Sequence, residues 1–305
     1  MNLEQNIYNV SVEGGELDIR FSTNIAEDEL LIYGSLGTGT WLTQETKTRA
    51  SSSYMLNLTV LPNTDGVSRT AYIYFVKVTD MESIVVEMVT IIQRGEVASE
   101  TTDYSSDKKV RVLQTAKLGK GLPIVLMGDG FIDTEINDGT YDAVMDKAFE
   151  NLFTEEPIKS LRDYFNVYAV TAVSKHNIFG TGYETALGCE QAGGNSTGIS
   201  GEDNAVQRYV QCVDNIDMSE TLAVVILNSP AYAGTTYFGY TNQTKVVEFA
   251  IAYCPVIYDL QSESFRQVLV HEAVGHGFAK LEDEYAYQEN GTISSKEIKN
   301  VQYLL

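Results

Sequence analysis

Apolar and polar residues alternate through the first third of the chain. Leu17, Ile19 and Phe21 follow the turn signal Gly14-Gly15; Tyr54, Leu56, Leu58 and Val60 alternate again; Ala71, Ile73 and Phe75 do so a third time. A period of two puts every second side chain on one face, so each run predicts a β-strand with one buried side. Pro62-Asn63-Thr64-Asp65-Gly66 separates two runs as a turn, and Ile84 to Ile92 is nearly continuous in apolar residues before Arg94-Gly95. Short strands at regular spacing, divided by Gly, Pro and Asn turns, predict an all-β sandwich over residues 1–95.

Glu96 to Asp107 (EVASETTDYSSD) is poor in large apolar residues and rich in Ser, Thr and acids, so residues 96–108 are predicted to link two domains. From Val110 the period changes. Pro123 to Met127 reads as a buried strand closed by Gly128-Asp129-Gly130, and Tyr141 to Phe153 carries Val144, Ala148 and Leu152 at helical spacing. Val167–Val173, Leu222–Leu227 and Val246–Ile251 read as strands, Ala205–Val213 as a helix, and Ser264–Lys280 as the last clear helix. Strands alternating with helices predict an α/β domain over residues 109–305.

With 305 residues, 44% of them hydrophobic, the chain is long enough for two cores. Lys+Arg 21 against Asp+Glu 42 gives a net charge of −21, which repels phosphate backbones and anionic lipid, so nucleic acid and membrane-surface partners are not expected. No basic-then-apolar run opens the chain and no stretch of about 18 apolar residues occurs, so neither a signal segment nor a membrane span is read from it. Cys189, Cys212 and Cys254 form no CxxC pair and read as free thiols.

Only three histidines occur, and two of them, His271 and His276, flank Glu272 in one predicted helix. Neutral imidazoles hold zinc, and a carboxylate beside the metal can take a proton from water. The spacing His271-Glu272-Ala273-Val274-Gly275-His276 is HExxxH, one residue longer than HExxH. At about 100° per residue the two histidines of a regular α-helix would diverge by about 140°. A single-turn π-bulge near Ala273 to Gly275, tolerated by Gly275, is therefore predicted. Gly277 is placed to end or bend the helix, bringing back an acid as third ligand: Asp283 first, with Glu282 and Glu284 as alternatives. Two histidines near a glutamate can also be plain hydrogen-bonding residues; the apolar approach Val268-Leu269-Val270 and the acidic cluster one turn later favour a metal site. Asp129 reads as a turn-forming acid or a strand-end contact to substrate or an ion, and His176 as a surface histidine or an oxyanion donor. Tyr232, Tyr237 and Tyr285 are candidates to line a peptide cleft.

Longer stretches carry two resemblances. VSVEGGELDIRFSTN from Val10, Trp41-Leu42-Thr43, NLTVLPNTDGVSRTAYIYF from Asn57 and VTIIQRG from Val89 resemble the BACON family of bacterial sandwich domains, which implies a glycan contact through the N-terminal domain. IVLMGDGFIDTE (Ile124 to Glu135), LFTEEPIKSLRDYFNVYAV (Leu152 to Val170), VVILNSPAYAGT (Val224 to Thr235) and VLVHEAVGHGFAKLEDEY (Val268 to Tyr285) resemble, in order, the immunoglobulin A peptidase family of zinc metallopeptidases, whose members carry HExxH or HExxGH. This second resemblance implies a zincin-like domain, Zn2+ held by His271, His276 and Asp283, Glu272 as general base, a protein or glycoprotein substrate, and a secreted or cell-surface location. Family members continue well past the DEY segment, whereas the chain ends at Leu305, so a C-terminally truncated catalytic domain is expected. The competing expectation is a protein that binds glycan or glycoprotein without cutting it.

Overall fold

The alternation in the first third resolves into two four-stranded sheets laid face to face. The structure is a computed structural model that describes residues 1–34, 41–50, 53–63, 68–79, 82–95, 99–180, 182–192, 196–238, 241–242, 245–246 and 249–283, the backbone alone at 44–50, 241–242 and 245–246. The first eight strands are β1 (Asn2–Leu3), β2 (Ile7–Val10), β3 (Gly15–Ser22), β4 (Leu30–Gly34), β5 (Leu42–Ala50), β6 (Ser53–Val60), β7 (Arg69–Val78) and β8 (Ser83–Gln93). They form sheets of order β1-β3-β6-β5 and β2-β8-β7-β4. The predicted inward residues do meet: Ile19, Phe21, Leu56 and Leu58 of one sheet pack with Ala71, Ile73, Phe75 and Ile91 of the other. Phe21 stacks on Tyr54 at 5.2 Å and meets Phe75 edge-on at 4.9 Å, which joins the two sheets through one aromatic cluster.

The second unit is built on a six-stranded sheet of order β15-β18-β14-β10-β11-β9. Its members are β9 (Val110–Gln114), β10 (Leu122–Asp129), β11 (Phe165–Val170), β14 (Leu222–Leu227), β15 (Thr235–Phe238) and β18 (Ala250–Pro255); β12 (Glu190–Gln191) pairs with β13 (Ile199–Ser200), and β16 (Thr241–Asn242) with β17 (Lys245–Val246). The four central strands are parallel and the two edges, β9 and β15, are antiparallel. Parallel strands need cover on both faces, which is why β14 and β18 are apolar and buried throughout. The helices are α1 (Asp133–Asn137), α2 (Thr140–Leu152), α3 (Ile158–Leu161), α4 (Asp203–Val210) and α5 (Glu263–Val268). α2 and α5 cover one face of the sheet and α4 covers the other.

Two elements depart from expectation. The strand predicted at Val246–Ile251 runs instead over Ala250–Pro255, because Leu222 to Leu227 pair in register with Ala250 to Pro255, while Val246 belongs to the separate β16-β17 pair. The helix predicted over Ser264–Lys280 is α-helical only to Val268 and continues as a π-helix over Leu269–Phe278.

Tyr141 ties the C-terminal ends of two central strands. Its buried hydroxyl donates to the Val170 carbonyl at 2.7 Å and accepts from Gly128 N–H at 2.8 Å and Ala172 N–H at 3.3 Å. Tyr141→Phe leaves those groups buried without a partner, so it is expected to lower the unfolding free energy by about 2 kcal/mol, read as a lower urea midpoint at unchanged slope. An unmoved midpoint would contradict this role.

Residues 99–108 lie against the larger unit: the Thr101 hydroxyl donates to the Ser174 carbonyl at 2.6 Å, and the Thr102 and Asp103 amides donate to Asp133. The sandwich also touches that unit directly, through Asn9 Nδ2 to the Phe179 carbonyl (2.6 Å) and Arg94 Nη2 to the Asn228 carbonyl (3.0 Å). No described helix is long and apolar enough to cross a membrane. Cys189, Cys212 and Cys254 are all free, the first and last buried.

Candidate metal centre

Ser262 starts the helix that carries the site, its hydroxyl accepting from Phe265 N–H at 3.1 Å. Phe265, Leu269 and Ala273 are fully buried against the sheet, which fixes which side faces outward. A π-helix bonds residue i to i+5, so residues five apart stack above one another, the interval between His271 and His276. The predicted distortion is present but longer than a single-turn bulge, and it does not depend on Gly275. A Cβ there would meet only the Val270 carbonyl, at an ordinary 3.6 Å.

Gly277, expected to end or bend the helix, lies inside it and is needed for packing instead: a Cβ would come within 2.6 Å of Leu222. The chain reverses at Lys280, whose φ is +57°, with Leu281 N–H returning to the Gly275 carbonyl at 3.0 Å in the manner of a left-handed helix end. That reversal delivers Asp283. Its Oδ1 lies 3.4 Å from His271 Nε2 and 3.2 Å from His276 Nε2, and the two Nε2 atoms are 3.1 Å apart. Among the described residues these three form the one cluster of His, Cys, Asp or Glu with converging ligand atoms. Glu282 lines the same cavity without joining the cluster, and Glu284 lies outside the described residues, as does Tyr285.

His276 Nδ1 sits 2.6 Å from the Leu281 carbonyl. A carbonyl only accepts, so Nδ1 carries the proton and Nε2 presents its lone pair to the cluster. Two imidazole nitrogens and a carboxylate oxygen this close form a cradle for a small cation.

Glu272 points to the sheet side. Its carboxyl is buried, and its Oε2 accepts from the Thr236 hydroxyl at 2.9 Å, a proton shared with the Glu272 carbonyl at 2.8 Å. Burial pushes the Glu272 carboxyl up; the Thr236 hydrogen bond and then His271 and His276 pull it down, and Asp283 raises it. β15 comes this close because residue 234 is glycine: a Cβ there would stand 2.6 Å from Glu272 Oε1. Thr236 carries no motif, and Gly234, inside the stretch VVILNSPAYAGT, has no role readable from it; only the pairing of β15 with β18 brings them to the helix.

Two openings border the cluster. One, of about 620 Å³, is lined by Glu272, His276 and Asp283 together with Thr235, Thr236 and, from the sandwich, Asn6 and Glu87. The other, of about 330 Å³, is lined by His271, Glu272, Thr197 and Tyr232.

The remaining candidates lie elsewhere. Asp129 is fully buried and accepts from Ser174, Thr185, Leu187 N–H and Cys189 N–H, so it organises a loop rather than meeting substrate. His176 Nδ1 accepts from Glu184 N–H at 2.9 Å and its ring packs edge-on against Tyr183, away from the cluster's cavities. Tyr237 donates to the Ile199 carbonyl at 2.9 Å.

Comparison with known proteins bears on this arrangement. Residues 25–94 match the family model of the BACON domain, a putative N-terminal binding domain. No curated protein matches. Among solved structures the chain is similar to a cysteine protease inhibitor of Entamoeba histolytica (13% identity, 30% of this chain and 85% of that one, TM-score 0.23). It is also similar to the Siglec domain of GspB (15%, 34% and 61%, TM-score 0.23) and a Bacteroides ovatus GH5 xyloglucanase (12%, 73% and 44%, TM-score 0.24). At such scores these likenesses carry no argument. The histidine helix, its acidic turn and the sheet beneath them all fall within residues 110–301, which match the family model described as IgA Peptidase M64; the match takes in more than half the chain, and the chain belongs to that peptidase family.

Proposed function

We propose that the chain is a zinc-dependent endopeptidase acting on an extracellular protein or glycoprotein, with His271, His276 and Asp283 as metal ligands and Glu272 as general base. In this reading residues 109–305 are a zincin-like catalytic domain, residues 1–95 the sandwich and 96–108 the link between them. The observation that carries it is the donor spacing. Ligands about 2.0–2.2 Å from a tetrahedral zinc stand about 3.3–3.6 Å from one another, and the three separations here, 3.1, 3.2 and 3.4 Å, come within a few tenths of an ångström of that range. Two imidazoles with one carboxylate are a catalytic zinc set, with the fourth position left open.

Held by His271, His276 and Asp283, zinc would supply a lowered pKa for water and polarisation of the scissile carbonyl. Glu272 takes the proton from the attacking water and returns it to the leaving amine. Thr236 holds the carboxyl in place through Oε2, leaving Oε1 for that proton. His276 is held in its ligating tautomer by the Leu281 carbonyl. Two cavities, of about 620 and 330 Å³, border the cluster and leave room for an extended chain. A secreted or cell-surface location fits the acidic, cysteine-poor composition.

Elemental analysis of the purified protein beside His276→Ala tests the site without a known substrate. About one zinc per chain, lost in the variant, is expected; a wild type that takes up no zinc when supplied with it would defeat the proposal and leave the non-catalytic binding protein standing.

A further inference from the structure

The seam between the sandwich and the larger unit holds another cavity, of about 220 Å³. Both units wall it: Tyr72 and Tyr74 come from β7 and Met88 from β8, while Tyr232 and Tyr258 follow β14 and β18. Tyr232 is 60% and Tyr258 53% exposed, and Tyr74 is backed by Tyr33 at 5.3 Å, so aromatic side chains wall the opening from both units. Tyr258 is held at φ +64°, a conformation unusual for a bulky side chain, with its N–H on the Pro230 carbonyl at 3.1 Å. Burial pushes the Tyr72 phenol up to about 12, so it stays uncharged at working pH.

The cavity adjoins the cleft at the metal cluster. Ser196 and Thr197 line both this cavity and the larger opening beside Glu272, and Tyr232 lines both it and the opening beside His271. Tyr232 is four residues before Thr236, a reach of at most about 14 Å. At about 3.3 Å per residue, an extended peptide with its scissile bond at the cluster brings a side chain three or four residues away to the tyrosines.

We propose that this tyrosine-lined seam is a substrate subsite that takes one large apolar, aromatic or proline side chain of the polypeptide being cut. The subsite rests on the peptidase reading above and adds to it a sequence preference set partly by the sandwich. Size selects the occupant: whole-ligand sites run from about 300 Å³ upward, so 220 Å³ suits a single side chain better than an oligosaccharide. Aromatic walls favour a flat or apolar group.

The test is binding of the full chain carrying Glu272→Gln to an array of immobilised peptides of varied sequence, with and without Tyr74→Ala and Tyr232→Ala. Tyr232→Ala alone is included because its exposure makes misfolding no explanation of an effect. Bound peptides are expected to be enriched in Phe, Tyr, Trp, Leu, Met or Pro at one position, with the enrichment lost and affinity about tenfold lower in the variants. No such enrichment, or one that survives the substitutions, overturns the subsite. Cleavage of a peptide library by the otherwise unchanged chain separates the two ideas. Hydrolysis whose sequence profile ignores the tyrosine substitutions sinks the subsite and spares the peptidase; tyrosine-dependent enrichment with no hydrolysis does the reverse.

Discussion

Glu272→Gln is expected to slow peptide hydrolysis by about a thousandfold while leaving the metal bound. The amide keeps the shape of the carboxyl and can still accept from Thr236, but it cannot take a proton, and general acid–base groups contribute about 10²–10⁴ in rate. The loss should fall on kcat, because in the proposed mechanism the group acts on the attacking water and not on the bound peptide. Turnover of any peptide cut by the wild type, measured beside zinc content, checks both halves. A variant retaining more than a tenth of the wild-type rate would remove Glu272 from the chemistry. A variant that lost both metal and rate would make it a structural residue of the cradle.

The second large effect concerns stability. Asp129→Ala should cost about 4 kcal/mol, because it strips the acceptor from two hydroxyls and two backbone amides in a site with no solvent contact. Those donors belong to Ser174 and to the loop from Thr185 to Cys189 that leads into β12. Burial and the same carboxylate push the Cys189 thiol well above its usual range, so it behaves as a packed apolar group rather than a reactive one. Urea unfolding of the purified variant measures the cost, and a loss under about 1 kcal/mol would show that the loop is held by other contacts.

Much of this architecture was legible in periodicity. The alternating runs at Leu17, Tyr54 and Ala71 became strands whose inward residues are the ones predicted, because a half-buried strand writes its environment directly into a period of two. The fully buried β18 was harder. A continuous apolar run carries no phase, so the strand starts four residues beyond the expected Val246, where pairing with β14 sets it. In the site, His271, Glu272 and His276 stand out by rarity and spacing, whereas spacing alone has no means of choosing among three neighbouring acids, and only the family resemblance singles out Asp283. The choice depends on where the helix ends, and that is decided at Lys280, a residue with no turn signature, and not at the more conspicuous Gly277. Thr236, Asn6 and Glu87 were invisible for a different reason: each reaches the cleft only through contacts made far along the chain.

The π-helical winding between His271 and His276 also separates length from spacing. An added residue in a loop lengthens the loop, but here it is taken up as a wider turn, and the two donors keep their vertical stacking. A relative with one residue fewer, wound as an ordinary α-helix, would offer the same pair of nitrogens. An alignment of the two would open a gap in the middle of a continuous helix, at a point where neither backbone contains anything that protrudes.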